Sequence, residues 1–220
     1  MIPPTQNSQF VAQMELVLDV YKRPYDVQFP VVCMDEAPKQ LIAETRVPIP
    51  AVPGQPARYD YEYRRCGVCT IFLAGEPLVG TRLVTVTARR TKQDWAHFLT
   101  EIAGYYPHAT KITVVMDNLN THTPSAFYET FPPEQAKALW DRFEFVYTPK
   151  HGSWLNMAEI ELNVLMGQCL KRRIDTLDMV SHEVQAWQAY RNNKNARVNW
   201  QFTTADARIK LARLYPTLDD

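Results

Sequence analysis

Two short runs, VVCMD ending at Asp35 and ITVVMD ending at Asp117, are apolar at successive positions and then meet a carboxylate. Neighbouring residues of an extended chain point to opposite faces, so a run that is apolar on both sides belongs to a strand covered on both faces. In the first run Phe29, Val31, Cys33 and Asp35 alternate with Val32, Met34 and Glu36. Lys111 to Asp117 reads the same way. Central strands of this kind need helices above and below them, which confines the chain to a layered α/β architecture.

The rest of the chain supplies those layers. Phe10, Val11, Met14, Val17 and Leu18 have the spacing of an amphipathic helix over residues 8–22, stopped at Pro24. Four prolines in residues 46–58 exclude helix and ladder and make an extended loop. Tyr59 to Ala88 turns β-rich, broken at Gly75-Glu76-Pro77 and Gly80, and fits two or three antiparallel strands. Helices are expected over 91–106, with Asp94 suited to the helix dipole, then over 133–143, 156–171, 181–193 and 204–214. FEFVYT makes one more strand, and the 156–171 helix reads as apolar around its circumference and therefore buried. The order predicts a ribonuclease H-like fold, a mixed five-stranded sheet flanked by helices. In that fold the first and fourth strands are parallel neighbours, so Asp35 and Asp117 meet at the sheet edge where ligands of α/β sheets collect.

A third acid, Glu159, follows in HGSWLNMAEIELNVL. Three carboxylates at one place raise each other's pKa unless a cation sits between them. Hard oxygen donors without histidine or thiolate select Mg2+ or Mn2+ over zinc, and so point to phosphate chemistry. Glu159 has a second reading: Asn156 is a good N-cap, and a glutamate three residues on is where a capping-box partner sits. Glu161 competes for the same role, about 200° away around the helix.

Composition narrows the class. A chain of 220 residues with 46% hydrophobic content can hold one sizeable domain. Apolar runs are too short for a membrane helix, and no signal-peptide pattern opens the chain, so the expected compartment is the cytoplasm. The four cysteines are too few and scattered for a disulfide framework. The lone C-x-x-C, Cys66 and Cys69, has no partner pair for zinc. Lysine plus arginine equals aspartate plus glutamate at 24 each, which counts against strong nucleic-acid binding by the chain alone. Basic clusters nevertheless occur at 64–65, 89–92, 171–173 and 191–197. Acids in a site with basic patches around its mouth would give the same neutral total. No nucleophile elbow, phosphate-binding glycine-lysine loop or dinucleotide fingerprint is present.

MDNLNTH (Met116 to His122) and TPKHGSWLNMAE (Thr148 to Glu159) resemble the catalytic domain of DDE transposases of the mariner superfamily, in the bacterial insertion-sequence branch of type 630. The resemblance extends through VVCMDE, ARYDYEY and DWAHFL to NWQFTTADARIKLARLYP, nearly the whole chain. It implies an enzyme that cuts DNA at the ends of a mobile element and joins those ends to a TA target. It places the metal-binding triad at Asp35, Asp117 and Glu159, with two Mg2+ or Mn2+ ions, Asp35 bridging them. It further implies a homodimer in the active complex, a bacterial cytoplasm, and association with the nucleoid when acting. Residues 1–24 are then an N-terminal helical linker and 25–220 the catalytic domain. Family members usually carry helix-turn-helix modules ahead of this domain; only about one helix precedes the first strand here, so those modules are expected to be absent from the chain.

Further residues have two readings each. His122 either lies near the site, as a contact to phosphate or water, or is a turn residue capped by Thr121 and Thr123. Lys150, His151 and Ser153, with Arg172 and Arg173, are DNA-backbone candidates, since phosphate contacts dominate such interfaces. Trp154 is read as a packing anchor before a base-stacking platform. Two other functions fit the sequence: another ribonuclease H-like nuclease or domesticated relative, and an inactive remnant that binds DNA or pairs with an intact transposase. The complete acid triad speaks against the remnant.

Overall fold

The protein, seen in a computed structural model, is described over residues 6–119 and 122–217. Thr121, the expected cap of the His122 turn, and both chain ends lie outside the described residues. The chain runs α1 (Ser8–Tyr21), β1 (Val31–Glu44), β2 (Tyr63–Glu76), β3 (Thr81–Thr87), α2 (Lys92–Tyr105), β4 (Ile112–Met116), α3 (Ser125–Thr130), α4 (Pro133–Asp141), β5 (Phe143–Tyr147), a 3-10 turn (Ser153–Leu155), α5 (Met157–Gln168), α6 (Leu177–Asn193), α7 (Thr204–Lys210) and a last 3-10 turn (Ala212–Leu214). The strands form one sheet in the order β3-β2-β1-β4-β5, with β1–β2 and β2–β3 antiparallel and β1–β4 and β4–β5 parallel. This is the expected ribonuclease H-like architecture.

The alternation read in the sequence sorts the two cores. Cys33 and Val115 join Ile71 and Leu73 beneath α1, α5 and α6, whereas Val32, Met34, Val114 and Met116 join Phe72 beneath α2, α3 and α4. Side chains of α6 also close the free edge of β3: Asn192 exchanges two hydrogen bonds with the Arg82 backbone at 2.8 Å, and the Val84 N–H donates to Gln188 at 2.6 Å. Covering an edge in this way removes unpaired strand groups from solvent.

Several expectations are revised. The first strand starts at Val31, leaving Phe29 exposed, and runs past Asp35 to Glu44 because β2 pairs with it over that whole length. Asp35 is therefore inside a strand, while Asp117 directly follows one. Helix α1, ahead of the expected boundary near residue 24, packs into the same core as the later elements. Phe10, Val11, Met14, Val17, Leu18 and Val20 of α1 are buried in the α5–α6 core, and the Asn7 N–H donates to the Leu214 carbonyl at 3.0 Å. Helix α5 is shorter than expected and not buried all round, since Ile160 and Asn163 are exposed. Helix α3, six residues in a polar stretch, has too short a period to announce itself. Among the described residues no helix is long and apolar enough to cross a membrane.

Candidate metal centre

Strand β4 ends at Met116 while β1 continues, and their parallel pairing stops at Cys33 opposite Val115. Past that point β1 is paired only with β2, so the edge carrying Asp35 opens where the chain leaves β4 at Asp117. Such a parting of parallel strands at their C-terminal ends makes a crevice. Asp35 shares the face of Cys33, the face covered by α5.

Helix α5 delivers Glu159 to the same place. The Asn156 side chain has a double duty: its oxygen accepts from the Ala158 N–H at 3.1 Å, capping the helix, and its amide donates to the Met34 carbonyl at 2.8 Å. The helix start is thereby tied to the residue before Asp35. No capping box forms here, in contrast to α2 and α7, so the Glu159 carboxylate is not occupied as a cap. Two residues on, Glu161 is turned inward and buried against Arg82 and Arg191, which fixes the rotation of α5 and leaves Glu159 partly exposed.

The other acids act on Asp35 through their charge, although among the described residues the acids and histidine whose ligand atoms all lie within 4.8 Å of one another are Glu36, Asp117 and His122. The Asp35 carboxyl is pushed up to about 7, first by burial and then by the charges of Asp117, Glu36 and Glu159, although a 2.8 Å hydrogen bond from the Glu36 N–H opposes the shift. A partly buried acid crowded by three others needs a positive charge beside it to ionise fully at neutral pH. An all-oxygen set of Asp35, Asp117 and Glu159 suits Mg2+ or Mn2+.

His122 and Glu36 were not foreseen in the arrangement they adopt. Glu36 points to the face opposite Asp35, where it is buried beside His122. His122 Nε2 lies 3.3 Å from Glu36 Oε2, and Nδ1 lies 2.9 Å from Asp117 Oδ1 and 3.2 Å from the Asp117 carbonyl oxygen. One ligand-capable atom of each of Glu36, Asp117 and His122 lies within 4.8 Å of the others. Burial alone would lower the His122 pKa, but Asp117 and Glu36 outweigh it and hold the ring up to about 9. The sequence held one signal for this: an acid at Glu36 among Val32 and Met34 on a covered face requires a buried partner.

The DNA-contact candidates divide. His122, 1% exposed, is enclosed by protein and not open to a phosphate. Lys150 is exposed and, with Asn118, Gln9, Gln13, Tyr147 and Thr148, lines a groove of about 380 Å³ that starts one residue from Asp117. His151, at φ 68°, and Ser153 are exposed on the same connection into α5. Trp154 packs edge-on against Phe202 at 5.7 Å. Arg172 and Arg173 lie instead by the far end of the β1–β2 hairpin, nine residues or roughly 30 Å along the strand from Asp35. Arg173 is engaged there by Glu44, by the carbonyls of Asp60 and Glu62, and over the Tyr63 ring. Its guanidinium is a tether for the hairpin. Arg172 pairs with Glu183 at 2.5 Å on the surface.

Residues 30–181 match the family model described as DDE superfamily endonuclease. No curated protein sequence matches the chain. Among solved structures, the Mos1 mariner paired-end complex with Mn superposes with a TM-score of 0.60 at 17% identity, over 89% of this chain and 60% of that one. The Mos1 strand transfer complex gives 0.58 at 16% identity, over 86% and 56%. The paired-end complex with Mg gives 0.59 at 16%, over 99% and 66%. At these identities the likeness carries the fold, and the chain spans about three fifths of the length of the Mos1 chain.

Proposed function

Because the chain belongs to the DDE superfamily endonuclease family, we propose that it is the catalytic domain of a mariner-type transposase, of the bacterial insertion-sequence 630 type, which cleaves DNA at transposon ends and transfers the 3′ ends to a TA target. The observation that carries this reading is the Asp35 carboxyl, desolvated and crowded by Asp117 and Glu159 where β1 and β4 part.

Asp35, Asp117 and Glu159 would hold two Mg2+ or Mn2+ ions. When bound, such ions activate a water or a DNA 3′-hydroxyl as nucleophile and stabilise the leaving 3′-oxygen. The protein's part is to fix the acids on rigid elements: Asp35 within a strand paired to β2, Asp117 at a strand end, and Glu159 in a helix turn tied to Met34. The groove bearing Lys150 is suited to the DNA backbone, with His151 and Ser153 beside it. The Mos1 matches are DNA complexes in which transposon ends are paired, which supports DNA and a second copy of the chain as partners.

The test is nicking of DNA carrying the element's ends. Cleavage is expected with Mg2+ or Mn2+ and not with Ca2+, and loss of activity is expected in D35N, D117N and E159Q. Robust cleavage in EDTA would overturn the reading; cleavage absent under every metal would favour a DNA-binding remnant.

A further inference from the structure

Behind the carboxylate site, His122 fills a closed polar compartment. Its ring stacks on Trp95 at 5.5 Å and 20°, its carbonyl accepts from the Tyr147 hydroxyl at 3.0 Å, and its N–H donates to the Leu119 carbonyl at 2.9 Å. Among the described residues, Nδ1 faces the Asp117 carboxylate and carbonyl, and Nε2 faces Glu36. His122 Nε2, Asp117 Oδ1 and both Glu36 oxygens lack a well-aligned hydrogen-bond partner among those residues, so what the geometry fixes is the seat of the ring between the two acids. Glu36 has Arg90 3.5 Å from its other oxygen, and neither of its oxygens receives a well-aligned hydrogen bond. The buried group that faces this carboxylate is the histidine that touches Asp117.

We propose that Glu36 and His122 form a positioning pair for Asp117, holding its carboxylate from behind so that the free oxygen is presented to the metal. The inference rests on Asp117 being a metal ligand. Glu36 acts through His122 and does not itself contact the ion. Asp117 lies just past the last residue of β4, outside the ladder, and its side chain is 29% exposed. The His122 ring, held by stacking on Trp95, supplies the missing restraint. Outer partners of this kind typically change metal affinity by 10–100-fold.

The test is Mn2+ affinity of the whole chain by electron paramagnetic resonance, with thermal melting alongside, for the unmodified protein, E36Q, H122Q, H122A, the E36Q/H122A pair and D117N. E36Q and H122A are each expected to weaken Mn2+ binding by about 10–100-fold, and the pair no more than H122A alone, because Glu36 has no route to the metal except the ring. Nicking by E36Q should recover as Mn2+ is raised, which a general packing defect would not do. H122Q keeps a donor in the compartment and serves if H122A melts below the assay temperature. Folded E36Q and H122Q proteins with Mn2+ affinity within twofold of the unmodified chain, while D117N loses it, would overturn this inference alone. Unchanged affinity in D117N would overturn the carboxylate site and the positioning pair together. Zn2+ binding that requires both Glu36 and His122 would show instead that the compartment is itself a metal site.

Discussion

Arg82 and Glu161 form a buried two-point ion pair, Nε to Oε2 at 2.6 Å and Nη2 to Oε1 at 2.8 Å, with Arg191 at 3.2 Å from both oxygens. The pair joins β3 to α5 and sets which face of the helix looks inward. Burial would raise the Glu161 pKa, but Arg82 and Arg191 hold it below the usual range.

Breaking a buried pair by removing one charge strands the other, at a cost of about 3–5 kcal/mol. E161Q is therefore expected to lower the melting temperature by on the order of 10 °C, whereas E159Q should leave stability nearly unchanged and abolish cleavage. Calorimetry and nicking on the two purified variants check this. The sequence alone made Glu161 a rival for the third ligand; the structure gives it a different task.

Asn156→Ala removes the cap of α5 and orphans the Met34 carbonyl in one step. Loss of a cap and of a buried hydrogen bond together should cost roughly 2 kcal/mol. Metal affinity should fall as well, because the helix start carries Glu159. Denaturant unfolding and a Mn2+ titration of the variant measure the two effects, and a stability loss without any change in Mn2+ affinity would detach Glu159 from the site.

Stability of the metal-free protein should fall with pH in two windows. Asp35 has a folded pKa raised to about 7 from an ordinary 3.8, so the stability it contributes is complete below 3.8 and is lost as pH rises through 7. His122, raised to about 9 from 6.5, contributes fully below 6.5 and loses that contribution as pH rises through 9. The slope follows from proton linkage. Urea midpoints from pH 4 to 10 should show both windows, the first missing in D35N and the second in H122Q. Metal binding must displace the Asp35 proton, so Mn2+ should release protons below pH 7 and raise the melting temperature.

With zero formal charge, duplex DNA should bind weakly, with affinity falling steeply in salt and little preference for sequence. K150A should flatten the salt dependence by about one counterion, while R173A should disturb the hairpin and leave that slope unchanged. Fluorescence anisotropy across a salt series separates the two.

What the sequence disclosed follows from periodicity. Alternation in VVCMDE assigned Cys33 and Met34 to opposite faces correctly, apolar spacing found α1 and α2, and the order of elements gave the parallel pairing of β1 with β4. Strand length was not legible, because the outer half of β1, from Pro38 to Glu44, is held by its ladder with β2 and not by an apolar pattern. Asp35, Asp117 and Glu159 stood out as acids at element ends. The partnership of Glu36 with His122 did not, since it depends on 85 residues of intervening chain returning to one face of the sheet.

The most direct measurement is a crystal of the chain soaked in Mn2+ and read by anomalous scattering. The expected result is Mn2+ held by oxygens of Asp35, Asp117 and Glu159 at roughly 2.1–2.2 Å, with the His122 nitrogens uncoordinated. Manganese bound by His122 and Glu36, or a site that leaves Asp35 and Glu159 untouched, would contradict the assignment.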